Sequence, residues 1–277
     1  MNEGQMSADR ALVLDDNHVA LAGAEFDQPR SLLQRFVLVA ATPRSGSNML
    51  SRMLRQLGYG VPLEYFHGRY GREFARRWGV VEGPAFAAEL LEAVIRHRTT
   101  AGFCAVKCLP KQFAVLSAGL AASHHAIQPW VIHLWRRDTL AQAISLRLAE
   151  QSGVWCFTEG PTTAPDETID LFDLEALHRA RKSLVIDELG WRAYLLKSGA
   201  PAVHVAYEDL VAHRARELGR LVGFLDPERV LPSPLLLDEP LSGESLRVRQ
   251  HLTLEQRHVL REVYEARFGP VAPLRDP

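Results

Sequence analysis

Five consecutive residues, Pro43-Arg44-Ser45-Gly46-Ser47, combine one cation, two hydroxyls and a glycine directly after an apolar run, Phe36 to Ala41. A helical pattern begins at Ser47, with Met49, Leu50, Met53, Leu54 and Leu57 at helical spacing on one side. A strand, a short polar turn and a helix start in that order make an anion cradle. The turn offers backbone N–H groups and the positive end of the helix dipole to a phosphate or a chemical relative of one. Gly46 lets the backbone approach such an anion closely, and Arg44 supplies full charge beside it. Taken alone, the pattern also fits a tight strand-to-helix turn with an N-cap serine. A second basic pair, Arg136-Arg137, closes another apolar run, Val131 to Trp135, and Asp138 then opens a second helical pattern from Thr139 to Gln151.

These groups need a scaffold that brings strand ends together. Residues 36–41, 103–107, 131–135 and 202–206 are short apolar runs that suit strands buried on both faces of a parallel sheet. Helical patterns fall near 71–78, 85–97, 111–121, 173–197, 208–224 and 253–267, besides the two following the basic turns. Alternation of strands with helices predicts an α/β fold, a P-loop-like central parallel sheet flanked by helices on both faces. In such sheets anion sites lie at the carboxyl ends of the strands. Both basic turns stand at such ends. The expected organisation is an N-terminal extension over 1–34 and one domain over 35–277 that ends in a helical segment. Residues 157–172, with Gly160, Pro161 and Pro165, read either as a lid over the site or as a plain connection.

The loop lacks the Gly-x-x-x-x-Gly-Lys-Ser/Thr of nucleotide-triphosphate P-loops and the Gly-x-Gly-x-x-Gly of dinucleotide folds. It resembles instead the 5′-phosphosulfate loop of sulfotransferases, which use 3′-phosphoadenosine 5′-phosphosulfate. In those enzymes an Arg at the end of a later strand and a Ser on the next helix hold the 3′-phosphate. Arg137 and Ser145 have that spacing. Three segments narrow the resemblance to the bacterial trehalose 2-sulfotransferase family: the loop itself, Pro62-Leu63-Glu64-Tyr65-Phe66, and Arg137-Asp138 through Gln142-Ala143-Ile144-Ser145 to Gly153-Val154-Trp155. The resemblance covers roughly residues 36–210.

That resemblance implies the site. Arg44, Ser45, Gly46, Ser47, Asn48 and Met49 would bind the phosphosulfate end, with Arg44 also stabilising charge in the reaction. Arg137 and Ser145 would bind the 3′-phosphate, and Glu64 would be the catalytic base. No metal is implied. The eukaryotic cytosolic sulfotransferases carry their base as a His in Lys-Thr-His-Leu-Pro. The comparable stretch here, Ala105-Val106-Lys107-Cys108-Leu109-Pro110, has no His, which agrees with a base at Glu64. Asn48 departs from the Thr of many members. The implied acceptor is a carbohydrate such as trehalose or a glycolipid sugar, and a homodimer is a family-level expectation. Two rivals stay open. One is a P-loop-like nucleotide-dependent kinase, against which the missing Lys-Ser/Thr counts. The other is an inactive nucleotide or carbohydrate binder, which Arg44, Glu64, Arg137 and Ser145 oppose and Asn48 leaves standing.

Composition narrows the partners. The chain has 277 residues, 47% hydrophobic and 23% charged, with net charge −1. This is ordinary globular usage, without the basic footprint of nucleic-acid binding. The first 34 residues lack the basic start and apolar stretch of a secretion signal. No apolar run reaches the ~18–20 residues that span a bilayer. Cys104, Cys108 and Cys156 show neither metal spacing nor a disulfide framework, so free thiols in a cytoplasmic protein are the expectation. Tyr65, Phe66, Tyr70, Trp78 and Trp155 are aromatic candidates for a sugar face, with the core as the ordinary alternative.

Overall fold

The structure, a computed structural model, describes residues 21–124, 126–153, 155, 173–229 and 253–277. The expected loop or lid at 157–172, Cys156 and most of the link before the last helix lie outside the described residues. Four strands, β1 (Arg35–Ala41), β2 (Phe103–Cys108), β3 (Trp130–Trp135) and β4 (Ala202–Ala206), form one sheet in the order β2-β1-β3-β4. All pairings are parallel, with Val37 opposite Ala105 and Trp130, and His133 opposite His204. The α/β expectation is therefore met.

Parallel neighbours need crossovers, and nine helices among the described residues surround the sheet. They are α1 (Ser47–Gln56), α2 (Gly68–Trp78), α3 (Phe86–Arg98), α4 (Pro110–Ala122), α5 (Thr139–Ser152), α6 (Leu174–Ser198), α7 (Tyr207–Ala212), α8 (Arg214–Leu225) and α9 (Leu254–Phe268). The two-residue alternation of β1 explains why both faces are covered. Phe36, Leu38 and Ala40 meet α2, α3, α4 and α6 through Phe74, Leu91, Leu116 and Trp191. Val37, Val39 and Ala41 meet α1, α7 and α8 through Leu50, Leu54, Leu210 and Leu221. A third cluster joins α5, α6 and α9 around Leu140, Leu177 and Tyr264. The single helix expected over 208–224 is two, because His213 leaves helical geometry at φ −136°.

The strand order places the site. From β1 the chain moves one way to β2, then crosses back to β3 on the other side of β1. The order reverses between β1 and β3, and open α/β sheets bind ligands outside the carboxyl ends at such a point. Residues 21–27 pack on the opposite rim of the α2–α3 layer. Fully buried Arg98 donates to the carbonyls of Leu21, Ala22 and Gly23 and pairs with Asp27 at 3.2 Å. Tyr65 and Phe66 are core residues, and Trp78 stacks on Phe74 and His97. Burial pushes the Cys104 thiol up to about 12 and removes its nucleophilic form at neutral pH.

A buried polar chain ties β4 to the sheet and to α6. His133 Nδ1 lies 3.0 Å from His204 Nδ1, and His133 Nε2 lies 3.2 Å from the Glu188 carboxylate, which also accepts from Arg192 at 2.8 Å. Burial raises the Glu188 carboxyl, but hydrogen bonds and charge from His133 and Arg192 outweigh it and leave the group below its usual range. Burial, then His133 and Arg192, hold His204 below 6.5, with Arg220 adding to the same effect. Both groups bind protons more weakly folded than unfolded. Their contribution is therefore present above the unfolded values and is lost as the pH falls, first through His204 below 6.5 and then through Glu188 below 4.5. Moving from about pH 7.5 to about pH 5 should lower the thermal midpoint of the parent more than that of His204→Asn. Equal drops would show that His204 has no proton linkage to folding.

Candidate active site

The loop after β1 is built for an anion at the backbone level. Arg44 takes φ 63° and Gly46 φ 89°, two left-handed residues flanking Ser45. Such alternation turns successive N–H groups toward one side. Gly46 is the N-cap of α1, so the serine-capped turn is not what forms. A Cβ on Gly46 would stand 2.6 Å from the Tyr207 ring. The first bond within α1 is Leu50 N to Gly46 O at 3.1 Å, which leaves the N–H groups of Ser47, Asn48 and Met49 without acceptors inside the helix. Ser45 is fully buried and spends both its hydroxyl, at 2.8 Å, and its N–H, at 3.3 Å, on Thr42 O.

Neighbouring elements hold this loop rigid. Gln142 of α5 donates to Thr42 Oγ1 at 2.8 Å and to Pro43 O at 2.7 Å. Trp191 of α6 donates to Ala41 O at 3.0 Å. Arg136, at the end of β3, donates to Arg44 O at 3.4 Å and lies 4.6 Å over the Tyr207 ring. Its Nε is buried without a hydrogen bond, 3.9 Å from the Glu208 carboxylate. A cation that leans on the loop with an unused donor is suited to a bound anion.

Arg44 points across to α5. Its Nε donates to Ser145 Oγ at 3.0 Å and its Nη1 to the Trp155 carbonyl. The structure thus joins Ser145 to Arg44. Arg137 binds elsewhere, with its Nη1 and Nη2 forked onto Asp209 at 2.9 and 2.8 Å and its Nε on Asp276 at 3.2 Å. Those hydrogen bonds, from Asp209 first and Asp276 second, raise the guanidinium above its ordinary value. Glu208 accepts from the backbone N–H of Arg137 and of Asp138 at 3.2 and 3.1 Å, which anchors the turn after β3.

Glu64 reaches the same strand ends from the other side of β1. Gly60, at φ 86°, lets residues 61–64 run against the edge of β2, since a Cβ there would stand 2.9 Å from Ala105 N. Leu63 pairs with Val106 in a parallel bridge, and Lys107 N donates to Leu63 O at 3.0 Å. That pairing sets Glu64 beside Lys107, whose Nζ lies 2.9 Å from Glu64 Oε1. Lys107 also donates to Asn48 Oδ1 in the first turn of α1. Gln112 donates to Glu64 Oε2 while its own Oε1 caps α4 by accepting from Leu109 N at 3.1 Å. Burial works to raise the Glu64 carboxyl. The charge and hydrogen bond of Lys107, with Gln112 and His67, outweigh it and leave the group below its usual range.

Two contiguous groups emerge. Arg44, the loop amides and Ser145 form one, joined by Arg136. Asn48, Lys107 and Glu64 form the other, and Asn48 belongs to both. The sequence assigns no role to Lys107 or Gln112, and marks Arg136 only as part of a basic pair. Lys107 and Arg136 were nevertheless legible as cations at strand carboxyl ends. Among the described residues no cluster of His, Cys, Asp or Glu is arranged to hold a metal ion, and no helix is long and apolar enough to cross a membrane.

A trehalose 2-sulfotransferase of Mycobacterium tuberculosis (strain ATCC 35801 / TMC 107 / Erdman) is 25% identical over 237 residues, 72% of this chain and 87% of that one. Among solved structures, a sulfotransferase domain from the curacin biosynthetic pathway is 16% identical with a TM-score of 0.43, covering 74% of this chain and 78% of that one. The mouse sulfotransferase SULT7A1 complexed with PAP is 12% identical with a TM-score of 0.44, covering 89% of each chain. The family model for the Stf0 sulphotransferases matches residues 36–229, the whole span from β1 through α8. The chain therefore belongs to the Stf0 sulphotransferase family.

Proposed function

We propose that the chain transfers a sulfonate group from 3′-phosphoadenosine 5′-phosphosulfate to a hydroxyl of a carbohydrate acceptor, such as trehalose or a glycolipid sugar. The observation that carries this reading is the shared ammonium of Lys107, which joins the anion loop at Asn48 to the carboxylate of Glu64. Anion binding and proton removal thereby fall within one small volume. Family membership and the M. tuberculosis relative support the reaction class and the sugar.

The residues present suit a doubly phosphorylated donor. When bound, that donor supplies the sulfonate that the acceptor oxygen receives. The N–H groups of Ser47, Asn48 and Met49, with Arg44 and the unused Nε of Arg136, would hold its 5′ end and stabilise negative charge there. Arg137 would hold the 3′-phosphate through the Nε edge that Asp276, a largely exposed carboxylate, now occupies. Ser145 would add a hydroxyl once Arg44 turns to its anion.

Glu64 would take the acceptor proton. Each of its oxygens accepts one bond in the structure, from Lys107 or Gln112, and a carboxylate oxygen has capacity for a second. Held below its ordinary range, it is ionised at neutral pH and needs no prior deprotonation. Activity should then persist with falling pH until the value of Glu64 in the donor complex is reached.

Transfer of labelled sulfonate to trehalose and to a panel of glycolipid sugars tests the reading, with no added metal. Product is expected with the parent. Glu64→Gln should bind adenosine 3′,5′-bisphosphate at least as tightly as the parent does and lose turnover by ~10²-fold or more. Parent-like turnover in that variant would remove Glu64 from the chemistry. Arg44→Ala should lower turnover by a comparable ~10²-fold, the scale of one preorganised charge stabiliser. Unchanged turnover would separate the loop from the reaction. Arg137→Ala should weaken adenosine 3′,5′-bisphosphate far more than adenosine 5′-phosphate, and equal weakening would misplace the 3′ site. Stabilisation by ATP with Mg²⁺ alone would favour a kinase.

A further inference from the structure

Lys107 occupies a position that a structural lysine rarely does. It ends β2, is almost fully buried, and faces α1 on one side and the 61–64 segment on the other. A buried ammonium is costly unless its hydrogen bonds are directed at strong acceptors. Here one acceptor, Asn48 Oδ1, belongs to the anion loop's helix, and another, Glu64 Oε1, to the segment across β2. The groups facing Glu64 are Lys107, Gln112, His67 and the Cys108 thiol, which burial and the Glu64 charge together push up.

We propose that Lys107 is a positioning residue that couples the anion loop to Glu64, because one ammonium both orients the carboxylate and answers to whatever anion sits beside Asn48. This rests on the reading of Glu64 as the base. In the structure the ammonium is shared between Asn48 and Glu64, and its charge keeps the carboxylate a weak base. An anion beside Asn48 competes for the same cation. Glu64 then loses part of its neutralising partner and gains proton affinity when a donor is in place. The arrangement ties basicity to donor occupancy, so the carboxylate becomes an effective proton acceptor in the complex rather than before it. The direction follows from burial, which acts to raise Glu64 whenever Lys107 is withdrawn.

The titration of the Glu64 carboxyl carbon by NMR reads this directly, with its signal assigned by its absence in Glu64→Gln. Lys107→Met should raise the midpoint by about one pH unit or more, the scale of losing an adjacent opposite charge, and Lys107→Arg should restore most of it. Saturating adenosine 3′,5′-bisphosphate should raise the midpoint in the parent and raise it less in Lys107→Met. Should the Met variant fail to fold, Lys107→Gln keeps a hydrogen-bonding side chain without the charge and serves the same comparison. An unshifted midpoint on removing the charge, or an equal nucleotide response with and without Lys107, overturns the proposal. The titration needs no turnover. A parent that transfers no sulfonate to any sugar would refute the functional reading and leave the coupling to stand or fall on its own.

Discussion

A lysine ammonium nearly sealed from water at the end of β2 constrains everything around it. Lys107 needs acceptors within about 3 Å, and burial penalises it heavily without them. Breaking one partner from such a pair typically costs about 3–5 kcal/mol, since the other charge is left uncompensated. The fold supplies acceptors from two directions. Gly60 brings the 61–64 segment against β2 and delivers Glu64, and the left-handed Gly46 starts α1 so that Asn48 stands in its first turn. A carboxylate and an anion loop meet because both must satisfy one buried cation.

The sheet provides the frame for that meeting. β1 is central and buried on both faces, so its carboxyl end is fixed by layers of helices rather than by local turn chemistry. Trp191 and Gln142 reach from two different helices to hold Ala41, Thr42 and Pro43. The loop therefore carries its two left-handed residues in a preset shape. Preorganised donors of this kind stabilise developing charge without reorganising during the reaction. Arg136 and Arg137 differ in consequence although adjacent. One leans on the loop across Tyr207 with only a distant pairing to Glu208 at 3.9 Å, while the other is hydrogen-bonded to the acids Asp209 and Asp276.

Much of this was legible in the residue order. Short apolar runs closed by basic turns marked β1 and β3, and helical spacing marked α1 and α5 to within a residue at each end. These features are periodic and local, so a single chain displays them. The break between α7 and α8 at His213 escaped, because apolar spacing continues through it while the backbone does not. Lys107 was passed over because its neighbours lack a histidine. Its partners, Asn48 and Glu64, stand 59 and 43 positions away and become visible through strand pairing alone. Ser145 illustrates the same limit. Its spacing from Arg137 is a sequence fact, whereas its contact with Arg44, 101 positions distant, depends on how α5 lies over the loop.

The most direct test of the shared site is a crystal structure with adenosine 3′,5′-bisphosphate bound. The account requires the 5′-phosphate on the amides of Ser47, Asn48 and Met49, with the Lys107 ammonium lying between that anion and the Glu64 carboxylate. A nucleotide seated away from the carboxyl ends of β1 and β3, or a 5′-phosphate separated from Lys107 by intervening protein, would contradict it.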